Sequence, residues 1–256
     1  TFTPNSTTSV SGVWNYTDAD GDAENGSTWT WFVNGSEAWR DASLVSYWRF
    51  DDDSRDVFGR NNGTIVGGPT NMNVSGVIKS AFLFNANQTY VNVSNSSSLD
   101  SFSNGTITFW WRPRFEFNSS SNQSAIFSHD GAGVNRDVQI AFNAADNNFV
   151  RANTGRLYVQ FQGSGGGTVN TTRGSWLSNW YHIGVSWDGS FARIYVDGSE
   201  EGNVSSTALV FTNTISSQFG VGALNVGTPQ YFNGSLDEFK IYNRTLTKAE
   251  IVNEYQ

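Results

Sequence analysis

Cysteine is absent from all 256 residues, which excludes a disulfide staple and a thiolate metal site. Methionine occurs once and proline four times. No cluster of lysine and arginine appears, so neither a nucleic-acid groove nor a polybasic membrane patch is expected. No apolar run of about 18 residues occurs and no secretory leader opens the chain, so it reads as a mature or excised piece of something longer. Acidic residues number 23 against 15 basic ones, for a net charge of −8. That acidity is mild, unlike a protein adapted to salt-saturated cytoplasm.

What is present is apolar, aromatic and rich in turn formers. Hydrophobic residues make up 38% and aromatics 15%, with ten Trp, nineteen Phe and 26 Gly. Such a chain can bury a large core, and the composition suits strands joined by tight turns. Sixteen Asn-x-Ser/Thr sequons begin at Asn5, Asn15, Asn25, Asn34, Asn62, Asn73, Asn87, Asn92, Asn95, Asn104, Asn118, Asn122, Asn170, Asn203, Asn233 and Asn243. The Asn and Ser/Thr content predicts about six by chance. N-glycosylation and an extracellular or cell-surface location follow as expectations. Dense sequons without cysteine suit an archaeal surface protein, or a virus or filament on such a cell, better than a eukaryotic secreted one.

The pattern is all-β. Residues 9–16 alternate, Asp18-Ala-Asp-Gly-Asp22 turns, and Thr28–Val33 ends at the hairpin signal Asn34-Gly35. The Asp18–Asp22 order fails as an EF-hand loop, because Gly21 precedes Asp22. From Leu44 onward strands follow one another: 47–50, 81–84, 90–93, 106–111, 138–142, 157–161, 181–187, 192–196, 219–222 and 236–241. Residues 106–111 are apolar on both faces and predict a central strand. Asp188-Gly189 and Asp197-Gly198 predict a meander. Thr247 and Glu250 form a capping box for a C-terminal helix, with Leu246 stapled onto Ile251.

Residues Trp14 to Gly35 resemble the front half of immunoglobulin-like repeats of archaeal and bacterial surface proteins. Further segments, in order, resemble the laminin-G-like family of concanavalin-A-like lectin domains. They are Leu44–Asp51, Asn61–Thr64, Gly76–Phe84, Ile107–Pro113, Trp180–Gly189, Ile194–Gly198 and Phe232–Leu246. The resemblance implies a two-sheet antiparallel jelly roll over 43–256, preceded by a partial immunoglobulin-like β segment over 1–42. It also implies a module that binds glycans, proteins or neighbouring domains. Family members usually carry Asp where this chain has Asn85, which weakens any cation site using that position.

Strand parity puts Asp237 with Phe239 and Ile241, pointing inward, where a carboxylate needs a partner. Asp51, Asp56 and Asp237, with backbone carbonyls, are therefore candidates for a structural Ca²⁺ cage, against hydrogen bonding of Asp237 to backbone N–H groups or an Arg. His182 reads as structural, and His129 falls in a loop without a partner for metal or nucleophile chemistry. Glu-x-Asp-x-x-Glu, the string of glucan-hydrolysing relatives, is absent, so no enzyme is expected. Trp176, Trp180 and Tyr231 lie near predicted loops and could stack on sugars, against core packing. The functional expectation is a glycosylated structural or adhesive repeat of a surface layer, filament or adhesin. It would be held by homotypic contacts or by strand complementation from neighbouring copies or domains, and the sequon-free stretch Ala125–Val169 is the expected contact surface. The alternative is a lectin that captures external glycans. Neither membrane insertion nor nucleic-acid binding is expected.

Overall fold

The computed structural model describes residues 32–33, 36–37, 41–67, 74–85, 88–100, 103–118, 124–131, 136–142, 154–161, 167–205, 214–219, 221–222 and 230–255. Two compact units divide between Arg40 and Asp41. In the first, β1 (Phe32–Val33) and β2 (Ser36–Glu37) pair antiparallel with Val33 opposite Ser36. That is the hairpin Asn34-Gly35 predicts. The strand expected over 9–16 and the acidic turn fall outside the described residues.

The second unit holds β3 (Leu44–Trp48), β4 (Gly63–Val66), β5 (Val74–Ser75), β6 (Ser80–Asn85), β7 (Tyr90–Ser94), β8 (Gly105–Pro113), β9 (Ser124–Gly131), β10 (Arg136–Phe142), β11 (Leu157–Phe161) and β12 (Thr168–Asn170). It continues with β13 (Tyr181–Trp187), β14 (Phe191–Val196), β15 (Ser199–Ser205), β16 (Thr214–Phe219), β17 (Val221–Gly222), β18 (Gln230–Tyr231), β19 (Asn233–Tyr242) and the helix α1 (Lys248–Tyr255). One sheet runs β12-β11-β10-β9-β16-β7-β4, and the other β15-β14-β13-β8-β19-β6-β5, with β3 also on β19. The two form the expected antiparallel jelly-roll sandwich, and β8 is central as its double-sided apolar pattern requires.

Alternation places one face of each strand in the core. Phe127, Ile140, Val159 and Phe219 from the first sheet meet Trp48, Phe109, Trp111 and Phe239 from the second. The Phe219 ring lies 4.8 Å from Trp48 and 4.7 Å from Phe239, edge to face, an arrangement that adds to area burial. The meander turns as expected. Asp188 accepts from the amides of Ser190 (2.9 Å) and Phe191 (2.8 Å), and Asp197 and Gly198 both take the positive φ of a two-residue hairpin turn.

Part of the outer face of the second sheet is covered by α1. Thr247 caps the helix, its Oγ1 accepting from Glu250 N at 3.3 Å while Glu250 accepts from Thr247 N at 2.7 Å. Leu246 and Ile251 pack with Tyr195 and Tyr242. Gly184 makes room, since a Cβ there would stand 2.9 Å from Ile251 Cγ2.

Candidate functional site

The outer face of the first sheet carries a line of uncharged polar side chains. The register pairs Thr64 with Asn92, Asn92 with Gln218, Gln218 with Ser128, Ser128 with Gln139, Gln139 with Gln160, and Gln160 with Thr168. Each stands next to a core residue in its strand, as Gln139 does between Val138 and Ile140, so it points the other way. Gln218 Nε2 donates to Asn92 Oδ1 and Ser128 Oγ to Gln218 Oε1, both at 3.4 Å. The line is accessible at Thr64, half-buried at Asn92 and Thr168, and buried between. Gln139 is 1% exposed and neither atom of its amide has a partner. A buried polar group left in that state costs about 1–3 kcal/mol. Beside the line, Tyr158 packs with Ala125 and Ala141, and its hydroxyl shares a 2.9 Å hydrogen bond with Thr154 Oγ1.

The acidic residues divide differently from the sequence expectation. Asp56 is saturated by backbone amides: Tyr47 N (3.0 Å) and Phe58 N (3.3 Å) reach Oδ1, and Arg60 N and Asn61 N (both 3.1 Å) reach Oδ2. It organises a turn and is not available to a cation. Asp237 points outward, not inward. Glu238 takes φ 52° and the register slips between Asp237 and Lys240, so Leu236, Phe239 and Ile241 all reach the core while Asp237 pairs with Trp110 on the far face. Asp237 Oδ2 accepts from Val77 N (2.7 Å) and Ile78 N (3.2 Å), and Asp51 Oδ1 accepts from Ser80 N (3.3 Å). One short segment thus gathers both carboxylates.

Asp237 is fully buried and its Oδ1 has no partner. Burial pushes its carboxyl up to about 7 against the pull of the two amides, and the charges of Glu238 and Asp51 push the same way. A carboxylate short of positive charge beside a second carboxylate fits a hard cation, with Asp51 and Asp237 as donors and carbonyl oxygens completing the shell. Among the described residues, no three acidic or histidine side chains converge as a ready-made cage. Asn85 ends β6 opposite Asn233, at the other end of that strand from Ser80, so it takes no part.

A family model described as concanavalin A-like lectin/glucanases superfamily, of the third laminin-G type, matches residues 85–252. The chain belongs to that superfamily. No curated protein sequence matches it significantly. Among solved structures, this concanavalin A-like chain is similar to domain 4 of AbnA, a GH43 extracellular arabinanase from Geobacillus stearothermophilus, in complex with arabinotriose. The identity is 22%, over 85% of this chain and 100% of that one, at a TM-score of 0.63. The binding domain of botulinum neurotoxin serotype G is similar at 14% identity and a TM-score of 0.59, over 83% of this chain and 50% of that one. A heptameric SAP-like pentraxin from Limulus polyphemus is similar at 16% identity and a TM-score of 0.52, over 68% and 80%. At these identities the likeness establishes the fold.

Within the superfamily sandwich the remaining predicted residues separate. Trp176 is fully buried, its Nε1 donating to Gly155 O at 2.8 Å, so it is core and not a sugar platform. Trp180 is half-buried just before β13, with the Arg112 guanidinium 4.9 Å from its ring centroid. Tyr231 is half-buried in β18, paired to β17. Trp180 thus immediately precedes β13, whereas Tyr231 lies in the separate β17–β18 pair.

His129 is in β9, not a loop. It is fully buried, shares a 2.8 Å hydrogen bond with Ser217 Oγ, and burial lowers its pKa to about 3. His182 packs with Trp110 and Tyr255 under the helix, and burial lowers it to about 4. Nine sequon asparagines lie among the described residues, and none is buried: Asn62, Asn95, Asn104, Asn203 and Asn243 are exposed, and Asn92, Asn118, Asn170 and Asn233 half-buried. No helix among the described residues is long and apolar enough to cross a membrane.

Proposed function

We propose that this chain is a non-catalytic adhesion module of an extracellular surface protein, and that it recognises neutral saccharides on the outer face of its first sheet. The observation that carries this is the polar line with the partnerless amide of Gln139 at its centre. Amides and hydroxyls at fixed spacing are what sugar hydroxyls need, and the line holds no charge, which favours neutral over acidic glycans. The sequon-free stretch Ala125–Val169 spans β9 to β11 and most of β12. It supplies Ser128, Gln139, Gln160 and Thr168, so no N-glycan would be attached within this half of the line. The fold of an arabinanase domain captured with arabinotriose supports the same reading. The structural-repeat reading then concerns what the module adheres to, including glycans on neighbouring copies. Screening against neutral and acidic oligosaccharides should show binding to neutral ones, weakened about tenfold or more by Gln139→Ala and unchanged by Trp180→Ala. Binding lost with Trp180→Ala but not with Gln139→Ala would move the site to the other sheet.

We further infer that a hard cation, Ca²⁺ by its chemistry, is held by Asp51 and Asp237 and stabilises the sandwich. A chelator should lower the melting temperature by several degrees, because a ligand of the folded state alone stabilises it. Asp237→Ala should abolish that sensitivity. An unchanged melting curve with chelator would leave the amides of Val77 and Ile78 as the whole account of Asp237.

A further inference from the structure

The two most exposed large apolar side chains among the described residues are Phe115, at 65%, and Leu177, at 57%. They lie on neighbouring segments, one following β8 and the other preceding β13. Phe117 and Trp176 form an antiparallel bridge, with a 2.8 Å backbone bond in each direction. That register sets Leu177 opposite Glu116 and Ser178 opposite Phe115. The second segment is pinned as well. Leu177 N donates to Tyr181 Oη (3.0 Å), Asn179 N to Leu177 O (2.8 Å) and Ser178 Oγ to Pro113 O (2.9 Å). The exposure of the two apolar side chains is therefore built into the backbone.

Charge of both signs stands beside this pair without being spent. Arg114 and Glu116 flank Phe115 in the chain, and both are exposed. The Arg114 guanidinium lies 5.6 Å from the Phe115 ring centroid. Among the described residues it has no carboxylate partner, whereas Arg173, Arg193 and Arg244 each hold one at 3.0 Å or less. Glu116 accepts a 3.4 Å bond from Ser175 Oγ and has no basic partner among those residues.

Scattered exposed apolar residues are ordinary. Here two adjoin, are held rigidly, and sit between a base and an acid that each lack a counterion. Aromatic and arginine side chains of this kind are enriched where protein surfaces meet. The order Arg-Phe-Glu selects the partner. When two antiparallel copies of the segment meet across a two-fold axis, Phe115 lies on Phe115, Arg114 faces Glu116 of the second copy, and Glu116 faces Arg114 of the second copy. Every position then meets its complement, as a contact between identical surfaces requires. A wholly acidic or wholly basic partner would satisfy one charge and oppose the other.

We propose that Arg114, Phe115, Glu116 and Leu177 form a homotypic contact through which two copies of this chain associate about a two-fold axis. The inference goes beyond the saccharide reading and depends on neither the polar line nor the cation. A contact centred on so few side chains belongs to the weak class, under ~1,200 Å². Copies fixed on one surface meet at an effective concentration of about a millimolar, which offsets that weakness. The nearest sequon asparagines are Asn118, two residues on, and Asn233, whose carbonyl accepts from Arg114 N at 3.3 Å. A glycan on either would stand at the rim of the contact, so associated copies should carry none there.

The test is sedimentation velocity on the full chain made without N-glycosylation. It should show a reversible monomer–dimer equilibrium below about 1 mM, weakened by salt. Phe115→Ser with Leu177→Ser should raise the dissociation constant about tenfold or more with the melting temperature unchanged. Arg114→Glu and Glu116→Arg should each weaken the dimer about threefold or more. The two together should return it to within about twofold of wild type, because the reversed segment is again its own complement. Lys248→Glu, which reverses an exposed base elsewhere, should leave the equilibrium as it is. A chain that stays monomeric throughout that range would overturn the inference, as would a doubly reversed variant no tighter than either single one. Glycopeptide mass spectrometry of dimers from the native source should find Asn118 and Asn233 bare, and sugar on either would also overturn it.

Discussion

At the scale of single residues, burial decides the chemistry of the two histidines. An imidazole in the unfolded chain takes its proton near pH 6.5, whereas His129 and His182 in the fold do so only at about 3 and about 4. Between those values the unfolded chain binds more protons. Their contribution to stability is therefore complete above about pH 6.5 and lost as pH falls toward 4 and below, by up to ~2.7 kcal/mol per pH unit for the pair. In the cation-free protein Asp237, raised to about 7, acts in the opposite sense, losing stability as pH rises from about 4 to 7, so the wild-type slope is a net one. Urea midpoints from pH 7.5 to 4.5 should show that His129→Gln with His182→Gln removes part of the acid-side loss. Parallel curves for variant and wild type would show that neither imidazole resists protonation. The place of these residues was only half legible in the sequence. His182 sits in an alternating strand that announces itself, but His129 is followed by Asp130-Gly131, which looks like a turn and instead ends β9. Asp237 misled for a similar reason. Alternation assumes an unbroken strand, and the single positive φ at Glu238 reverses the face of everything before it.

Among elements, α1 shows apolar burial outweighing exposed ion pairs. Arg244 bonds Glu250 (2.8 Å) and Asp41, but all three side chains are about a third exposed or more, so Arg244→Ala should cost at most about 1 kcal/mol. Ile251 is fully buried against Gly184 and Tyr195, and Ile251→Ala should cost about 2–4 kcal/mol. Chemical denaturation of the two variants would compare them directly, and an Arg244→Ala loss larger than that of Ile251→Ala would reverse the ranking. This element was legible because its signals are local: a cap at Thr247, a carboxylate three residues on, and a short apolar face. The Asp-Gly turns of the meander were legible for the same reason. The polar line was not. It exists only through six register pairings between strands far apart in sequence, and its one local trace is an uncharged polar residue between core residues, as in Val138-Gln139-Ile140 and Val159-Gln160-Phe161. Trp176 shows the converse, since nothing in its loop-like surroundings reveals that Trp111, Phe142 and Tyr181 enclose it.

For the whole molecule, period and turn chemistry marked the strands, and the resemblance of the ordered segments to the laminin-G-like family implied that they form a sandwich of two antiparallel sheets. Which strand lies beside which is a property of the entire chain, and here it hangs on β19. That strand pairs with β3, β6 and β8, and Tyr47 and Glu238, 191 positions apart, meet through a hydrogen bond. Until residues 233–242 have been synthesised, β3 and the near side of β8 have no neighbour in their sheet. Contacts of such long range close slowly, on a scale of milliseconds to seconds. The second sheet therefore stays split into β5-β6 on one side and β8-β13-β14-β15 on the other until the end of the chain is made, and a single late strand joins the two halves.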